Sequence, residues 1–218
     1  MDINDFKDDY IPEEDYYGRE DDLAFAHTLY EAEGGNADSQ RIMGEIYSNA
    51  GHGVKVDYKK AEYWYLKSAK QGNGRAQCEL GIIYAEGKHG AADCEKAAAL
   101  LESSAKQGNY RAADALAKLY LYGYGVAADR ERAVFWAEKG AEGHYPSSYF
   151  YLALAHEKDK TLYEKYLLEA IKFNYENAYP KLFVFYLEEN RKDDAVKIYN
   201  LAIKRGHGKI MENFKDKL

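Results

Sequence analysis

The sequence is poor in proline and cysteine and contains no long apolar run. Its 218 residues include three prolines and two cysteines, Cys78 and Cys94. The longest strongly apolar stretch, residues 182–187, is far shorter than the roughly 20 residues that a membrane-spanning helix needs. We therefore expect no membrane insertion. Two thiols do not make a disulfide framework, and no signal peptide is apparent, so the sequence predicts a cytoplasmic location.

The chain also lacks a basic stripe. Residues 1–22 hold ten acidic and two basic side chains, a net charge of −8, so out of a total of −7 the remaining residues carry +1. Such an acidic segment would repel nucleic-acid phosphates, and we expect no nucleic-acid binding. The acidic segment is either a solvated terminus or a segment that binds a basic protein.

Signals for catalysis and for metal binding are also missing. The six histidines are scattered, and no His-x-x-x-His or Cys-x-x-Cys spacing occurs. Structural metal sites depend on such spacing, because the ligands must share one helix face or one turn. No glycine-rich loop follows a strand to hold a phosphate. The sequence predicts no catalytic residue, no metal ion and no cofactor.

What the sequence has instead is a repeat of 36 residues. The residues that recur at this interval are Leu80, Leu116 and Leu152; Gly51, Gly87 and Gly123; Asp57, Asp93 and Asp129; Ala61, Ala97 and Ala133; and Ala69, Ala105 and Ala141. A period of this length is typical of an array of helix pairs, in which each unit buries its apolar face against the next.

Each unit reads as two helices. Leu80 and Tyr84 share a face of the first helix, and Gly81 is small where another helix crosses closely. The recurring aspartates stand where the second helix needs an N-cap acceptor. Glycines that end the second helix are Gly72, Gly108 and Gly143, the last shifted by one residue, with Asn174 in the glycine slot of the next unit.

This register divides the chain into units. The predicted segments are a degenerate acidic N-terminal repeat or cap at 1–37, repeats at about 38–75, 76–111, 112–147, 148–177 and 178–206, and a C-terminal capping segment at 207–218.

The best units resemble the Sel-1-like repeat family, a relative of the tetratricopeptide repeat. The motifs that carry the resemblance are Leu80-Gly81-x-x-Tyr84, the turn Gly123-x-Gly125-Val126, and then Asp129, Ala133, Trp136 and Ala141. The resemblance covers residues 38–148 well. It implies an all-α fold, a right-handed α-α solenoid of about five to six helix pairs that scaffolds protein–protein interactions.

By analogy with tetratricopeptide repeats, the first helix of each pair lines a concave face. The candidate partner-binding residues on that face are Arg41, Glu45, Arg75, Glu86, Arg111, Asp114, Lys118, Tyr122, Phe150 and Leu154. A cationic centre with an apolar end suits an acidic, partly hydrophobic peptide. Alternatively, these are ordinary solvated side chains, and the apolar end packs against residues 207–218. Four tyrosines near the loop of the third repeat and the start of the next helix are further contact candidates, with structural packing as the alternative: Tyr122, Tyr124, Tyr145 and Tyr149.

The leading hypothesis is a non-enzymatic binding protein, either an adaptor or an immunity-type inhibitor of bacterial origin, for which a basic toxin or effector is a candidate partner. The rival is a β-lactam-binding or hydrolysing enzyme of the cysteine-rich Sel-1-like subgroup. That rival is disfavoured because Ala69, Ala105 and Ala141 occupy the second-helix cysteine slots. A third alternative is a luminal family member that acts in protein quality control. Such relatives carry a secretory signal and usually many more repeats, and this sequence shows neither.

Overall fold

The computed structural model describes residues 20–88 and 90–217, and this part of the chain is helical without strands. Its α-helices are α1 (Glu20–Glu33), α2 (Ala37–Asn49), α3 (Tyr58–Lys70), α4 (Gly74–Glu86), α5 (Cys94–Lys106), α6 (Tyr110–Tyr122), α7 (Arg130–Glu142), α8 (Pro146–Ala155), α9 (Lys160–Lys172), α10 (Ala178–Glu188), α11 (Lys192–Lys204) and α12 (Gly208–Met211). Short 3-10 helices span Gly51–Gly53 and Glu212–Lys217.

The chain forms two compact units, one up to Asn109 and one from Tyr110 onward. In the first unit, α2 packs on α3 and α4 packs on α5, while α2 also touches α4. In the second unit the packed pairs are α6–α7, α8–α9 and α10–α11, and α6 touches α8. Within each unit, neighbouring first helices therefore lie side by side, α2 with α4 and α6 with α8, and we call such a row the first-helix layer of that unit. The predicted all-α helical-repeat fold is confirmed.

The recurring aspartates cap the second helices as predicted. The Asp57 carboxylate accepts hydrogen bonds from the backbone N–H groups of Lys59 and Lys60 at 3.0 and 3.1 Å. Asp93 and Asp129 cap α5 and α7 in the same way. The backbone N–H of each aspartate also donates to a tyrosine carbonyl of the preceding helix: Asp57 to Tyr47, Asp93 to Tyr84 and Asp129 to Tyr120, at 2.8–2.9 Å. One residue type thus starts the second helix and closes the loop before it.

Close helix crossing explains the small residue at position 81. A Cβ added to Gly81 would lie 2.8 Å from Leu101 Cγ, nearer than van der Waals contact allows. Gly44 has the same role, since a Cβ there would lie 2.5 Å from the ring of Tyr65. The prediction of a close crossing at Gly81 is confirmed.

The left-handed residue at the end of the second helix keeps the 36-residue spacing at positions 72, 108 and 144, even where it is not a glycine. Gly72 and Gly108 have φ of +87° and +85°, as predicted, and Asn174 adopts the same left-handed conformation at +64°. Gly143 ends its helix as predicted, since it is the C-cap residue of α7, but its φ is −83° and it is not left-handed. The left-handed residue is His144, at φ +60°, which stands 36 residues after Gly108. Gly143 is small for another reason, because an added Cβ would lie 2.3 Å from Tyr110 Cβ.

The tyrosine that ends the apolar stripe of the first helix is covered by a cation in four pairs. The distances from the cation to the ring centroid are 5.5 Å for Lys60 over Tyr47, 5.7 Å for Lys96 over Tyr84, 4.7 Å for Arg132 over Tyr120, and 4.3 Å for Arg191 over Tyr186. In each pair the cation comes from the loop before the second helix or from its first turn. Cation–π contact therefore stabilises the packing of the two helices within each of these pairs.

The last pair is covered by the C-terminal segment. Met211 of α12 is fully buried, and the ring of Phe214 lies edge-on to Phe183 with centroids 5.5 Å apart. Residues of the C-terminal segment therefore pack on α10 of the last pair. Of the predicted acidic unit at 1–37, residues 1–19 lie outside the described residues.

Candidate functional site

Four tyrosines of the second unit form a group that we call the tyrosine cluster. They lie at the end of α6, in the loop after it, on α8, and in the loop between α9 and α10: Tyr122, Tyr124, Tyr151 and Tyr175. Tyr122 and Tyr124 are stacked, with ring centroids 5.4 Å apart and planes at 25°. Tyr151 meets Tyr122 edge-on at 6.5 Å. The side chains of Tyr122 and Tyr124 remain 44% and 48% exposed. The cluster therefore offers aromatic surface to solvent.

The stack at the end of α6 is produced by a glycine. Gly123 adopts φ +71°, a left-handed conformation that glycine reaches without steric cost. The N–H groups of Gly123 and Tyr124 both donate to the carbonyl of Leu119, at 2.9 and 3.1 Å. This closure reverses the chain direction just after Tyr122, which brings the ring of Tyr124 back against it.

Buried aromatic side chains hold the stack from below. Tyr151 is buried, and Tyr175 is its hydrogen-bond partner. Phe150 packs against both of these rings, with centroids at 6.2 and 5.2 Å. Burial, followed by the neighbouring Tyr175 and Tyr124 phenols, raises the pKa of Tyr122. Burial also raises the pKa of Tyr151. These hydroxyls therefore stay protonated at neutral pH and keep a proton to donate.

A carboxylate lies close to the cluster. Asp114 accepts hydrogen bonds from Ser147 Oγ at 2.8 Å and from Ser148 Oγ at 2.6 Å, which joins α6 to α8. Burial raises the pKa of Asp114, although the two serine hydroxyls and the positive charge of Lys118 oppose that effect. Its negative charge contributes to the raised pKa of Tyr151, which places the carboxylate within electrostatic reach of the cluster.

Replacing Asp114 by asparagine should remove one contribution to the pH dependence of the free energy of unfolding. The folded-state pKa of Asp114 is raised above the ordinary value of 3.8, so the folded protein binds the proton more tightly than the unfolded chain. The favourable contribution of the protonated form is complete below the unfolded pKa and is lost as pH rises through the folded pKa. Relative to the Asp114→Asn variant, the parent should therefore lose stability as pH rises through this window and then level off.

Urea unfolding of both proteins from about pH 3 to about pH 7 measures this difference. If the free energies of unfolding of the two proteins differ by the same amount at every pH in this range, burial does not raise the pKa of Asp114.

Four of the predicted binding residues of the second unit lie at least partly at the surface. Arg111, Lys118 and Tyr122 are exposed, and Leu154 is half-buried. The expectation that Phe150 is a contact residue is wrong, because its ring is buried between Tyr151 and Tyr175. The carboxylate of Asp114 is likewise engaged by serines and supports the site from within.

In the first unit, intrachain ion pairs occupy most of the predicted residues. The Arg41 guanidinium pairs with Glu45 one turn later and lies 3.9 Å from Asp38, and its side chain is only 14% exposed. Glu86 Oε2 pairs with Lys88 Nζ at 2.8 Å. Arg75 is exposed near the start of α4. The alternative reading, side chains paired within their own helix, describes Arg41 and Glu45 well.

The stacked tyrosines belong to one repeat only. In the preceding repeat, 36 residues earlier, the slots of Tyr122 and Tyr124 hold Glu86 and Lys88. The polar pair and the aromatic pair each flank a left-handed glycine, at Gly87 and Gly123. The fold therefore does not require tyrosine at either position. Helix formation and packing alone do not account for the exposed aromatic stack.

Comparison with known proteins identifies the repeats. The model of the Sel1 repeat matches three consecutive segments, residues 37–73, 74–109 and 111–145. These segments coincide with the helix pairs α2–α3, α4–α5 and α6–α7. The chain is a Sel1 repeat protein. Proteins of this family are generally scaffolds for protein interaction.

Solved structures show the same fold. A Sel1 repeat protein from Oxalobacter formigenes is 24% identical, with a TM-score of 0.73 over 87% of this chain and 82% of that one. A putative Sel1 repeat protein from Klebsiella pneumoniae is 20% identical, with a TM-score of 0.58 over 88% and 97% of the two chains. At these identities the likeness concerns the fold.

One curated relative matches a shorter segment. The ERAD-associated E3 ubiquitin-protein ligase component HRD3A of Arabidopsis thaliana is 37% identical over 68 residues, which is 31% of this chain. The matched segment spans 10% of the length of that relative.

Two further kinds of feature, a membrane-spanning helix and a metal-binding group, are not found among the described residues. Within residues 20–88 and 90–217, no helix has the length and apolar character that a membrane crossing requires. In the same part of the chain, histidine, cysteine, aspartate and glutamate side chains form no group of three that could hold a metal ion.

Proposed function

We propose that this Sel1 repeat protein is a non-enzymatic binding module that holds a partner protein or peptide on the first-helix layer of its second unit. The observation that carries the proposal is the exposed stack of Tyr122 on Tyr124. Tyrosine is enriched at interface positions that dominate binding energy, because it buries a large area at a small cost in side-chain entropy.

The surroundings of the stack support the proposal. Tyr151 and Phe150 hold it from below, so a partner would meet rings that are already ordered. Preordered contact residues lower the entropic cost of association. Arg111, Lys118 and Leu154 extend the proposed contact surface along α6 and α8. Arg75 is the remaining exposed candidate in the first unit.

We infer two possible roles for such a module, an adaptor and an immunity-type inhibitor, and the number of partners separates them. An inhibitor holds one partner tightly, whereas an adaptor takes several weaker ones. The β-lactam alternative is disfavoured because the cysteine pairs of that subgroup are absent, and the two cysteines of this chain, Cys78 and Cys94, are free thiols. The Arabidopsis relative, a component of a ubiquitin ligase, supports a role in protein assembly.

Capture from a lysate of the native host tests the proposal. We expect the parent protein to retain a stoichiometric partner, and the Tyr122→Ala/Tyr124→Ala variant to lose at least about 90% of it, since two interface tyrosines are removed. Tyr30→Ala is the matched control, because Tyr30 is a 78% exposed tyrosine of the first unit.

Circular dichroism of all three proteins verifies that each retains its helices. If the double variant and the parent retain the same partners in equal amounts, the binding surface lies elsewhere. If a partner is lost with the Tyr30 control as well, the effect is not specific to the tyrosine cluster.

A further inference from the structure

The charge on the first helices changes sign between the two units. α2 and α4 each carry two acidic residues and one basic residue, whereas α6 carries Arg111, Lys118 and a single acidic residue, Asp114. α8 carries no charged residue. The first-helix layer of the second unit, formed by α6 and α8, therefore has a net charge of +1, although the whole chain carries −7.

The one negative charge of this layer is held against α8. The two oxygens of the Asp114 carboxylate accept hydrogen bonds from the hydroxyls of Ser147 and Ser148 at 2.6–2.8 Å, and Ser148 is fully buried. Among the described residues, no carboxylate forms an ion pair with Lys118. The exposed charged side chains of this layer are those of Arg111 and Lys118, and both are positive.

The exposed cations and the start of the tyrosine stack lie on one face of α6. Arg111, Lys118 and Tyr122 are separated by seven and four residues, which is close to two turns and one turn of an α-helix. All three side chains are exposed, and Leu154 is half-buried on the neighbouring α8. Tyr122 and Tyr124 add phenol hydroxyls, which donate hydrogen bonds. This face therefore combines positive charge, hydrogen-bond donors and aromatic surface.

The same face differs in the preceding repeat. On α4, the slots of Lys118 and Tyr122 hold Ile82 and Glu86, and Glu86 pairs with Lys88 at 2.8 Å. An acidic ligand would meet a carboxylate at that position, whereas on α6 it meets a cation and a tyrosine. The combination of charge and aromatic surface is thus a property of the α6 repeat.

Building on the proposed function, we propose that this face of α6 binds an acidic, partly apolar segment of the partner protein, with a partner carboxylate on Lys118 and an adjacent apolar side chain on the Tyr122–Tyr124 stack. An ionised carboxylate offers acceptors only, so it matches an ammonium group and phenol hydroxyls. The apolar side chain covers ring surface that the fold leaves in water. A basic segment is disfavoured, because Arg111 and Lys118 repel it.

Nuclear magnetic resonance of the full chain with ¹³C-labelled tyrosine rings provides the test. The probe is a blocked peptide of glutamate and leucine residues, and the matched controls replace each glutamate by glutamine or by lysine. We expect saturable shifts of the Tyr122 and Tyr124 ring signals with the glutamate peptide, and at least about threefold weaker binding of the glutamine peptide, since exposed ion pairs are modest interactions. The lysine peptide should bind more weakly still, and the Tyr30 signal should not move.

Two lysine variants locate the charge that the peptide recognises. Lys118→Gln should weaken binding of the glutamate peptide at least about threefold and leave binding of the glutamine peptide within about twofold of the parent. Lys204→Gln is the matched control and should bind as the parent does, because Lys204 is an exposed lysine of α11, a second helix of the same unit. Thermal unfolding verifies that each variant is folded.

The apolar half of the assignment has its own control. A probe peptide in which serine replaces each leucine keeps every carboxylate and should bind at least about threefold more weakly, because less apolar surface is buried on the rings. Equal binding of the serine and leucine peptides would contradict the role assigned to the tyrosine stack.

Equal binding of the glutamate and glutamine peptides would overturn the inference, as would equal binding by the Lys118→Gln and Lys204→Gln variants. Tighter binding of the lysine peptide would show that the site prefers a cation. If the Tyr122→Ala/Tyr124→Ala variant loses its lysate partner but none of the peptides moves the ring signals of the parent, the proposed function stands and the acidic assignment fails. If the glutamate peptide binds as expected but that variant keeps its lysate partners, the face binds acidic peptides and the proposed function fails.

Discussion

Leu80→Ala should lower the free energy of unfolding by about 2–5 kcal/mol, the usual cost of removing a fully buried leucine side chain. Leu80 is 0% exposed and belongs to the core cluster that includes Met43, Trp64 and Ile83. The loss combines the transfer free energy of the removed carbons with the cavity that remains. Urea denaturation followed by circular dichroism measures it.

Leu23→Ala is the matched control in the same unit. Leu23 is 75% exposed, and a surface substitution of this kind changes stability by no more than about 0.5 kcal/mol. Similar losses for both variants would show that Leu80 does not lie at the centre of a repeat core, and would contradict the assigned register.

Gly81→Leu should cost about 1–3 kcal/mol, because it overpacks the crossing of α4 and α5. Even a Cβ at this position lies 2.8 Å from Leu101 Cγ and 3.3 Å from the Ala97 carbonyl oxygen. Helix propensity acts the other way, since leucine is favoured over glycine inside a helix by about 1 kcal/mol. A measured loss would therefore show that packing outweighs propensity. An unchanged melting temperature would contradict the close crossing.

A double-mutant cycle assigns the clash to its partner. Gly81→Ala adds only the Cβ, and Leu101→Ala removes the atoms that this Cβ would meet. We expect the double variant to be more stable than the sum of the two single effects predicts, because the space vacated by one change accommodates the other. Strict additivity would mean that the two residues do not interact.

Much of the repeat architecture was predictable because it rests on local chemistry. An aspartate before an apolar helix predicts an N-cap wherever it occurs, and the caps at Asp57, Asp93 and Asp129 are present. A left-handed helix end was predictable at Gly72 and Gly108. Gly143 ends α7 one residue before the periodic slot, and the left-handed residue in that slot is His144.

The site was predictable only in part. Tyr122 falls at an outward position of the period, so the sequence indicated it. Phe150 falls at a similar position but is buried, because it fills the space between two tyrosines that a helical projection does not include. Tyr175 follows a shortened repeat, where the 36-residue register offers no template, and Tyr151 carries no signal in the period.

The sequence by itself determined the repeat, the helix boundaries and the family, because period, capping and glycine placement act over a few residues. Only the tertiary structure decided which exposed-looking residues remain exposed. The pairing of Arg41 with Glu45, the burial of Phe150, and the gathering of Tyr122, Tyr124, Tyr151 and Tyr175 depend on which helices pack together. A periodic pattern assigns a face to each residue, whereas the space available on that face is set by side chains distant in sequence.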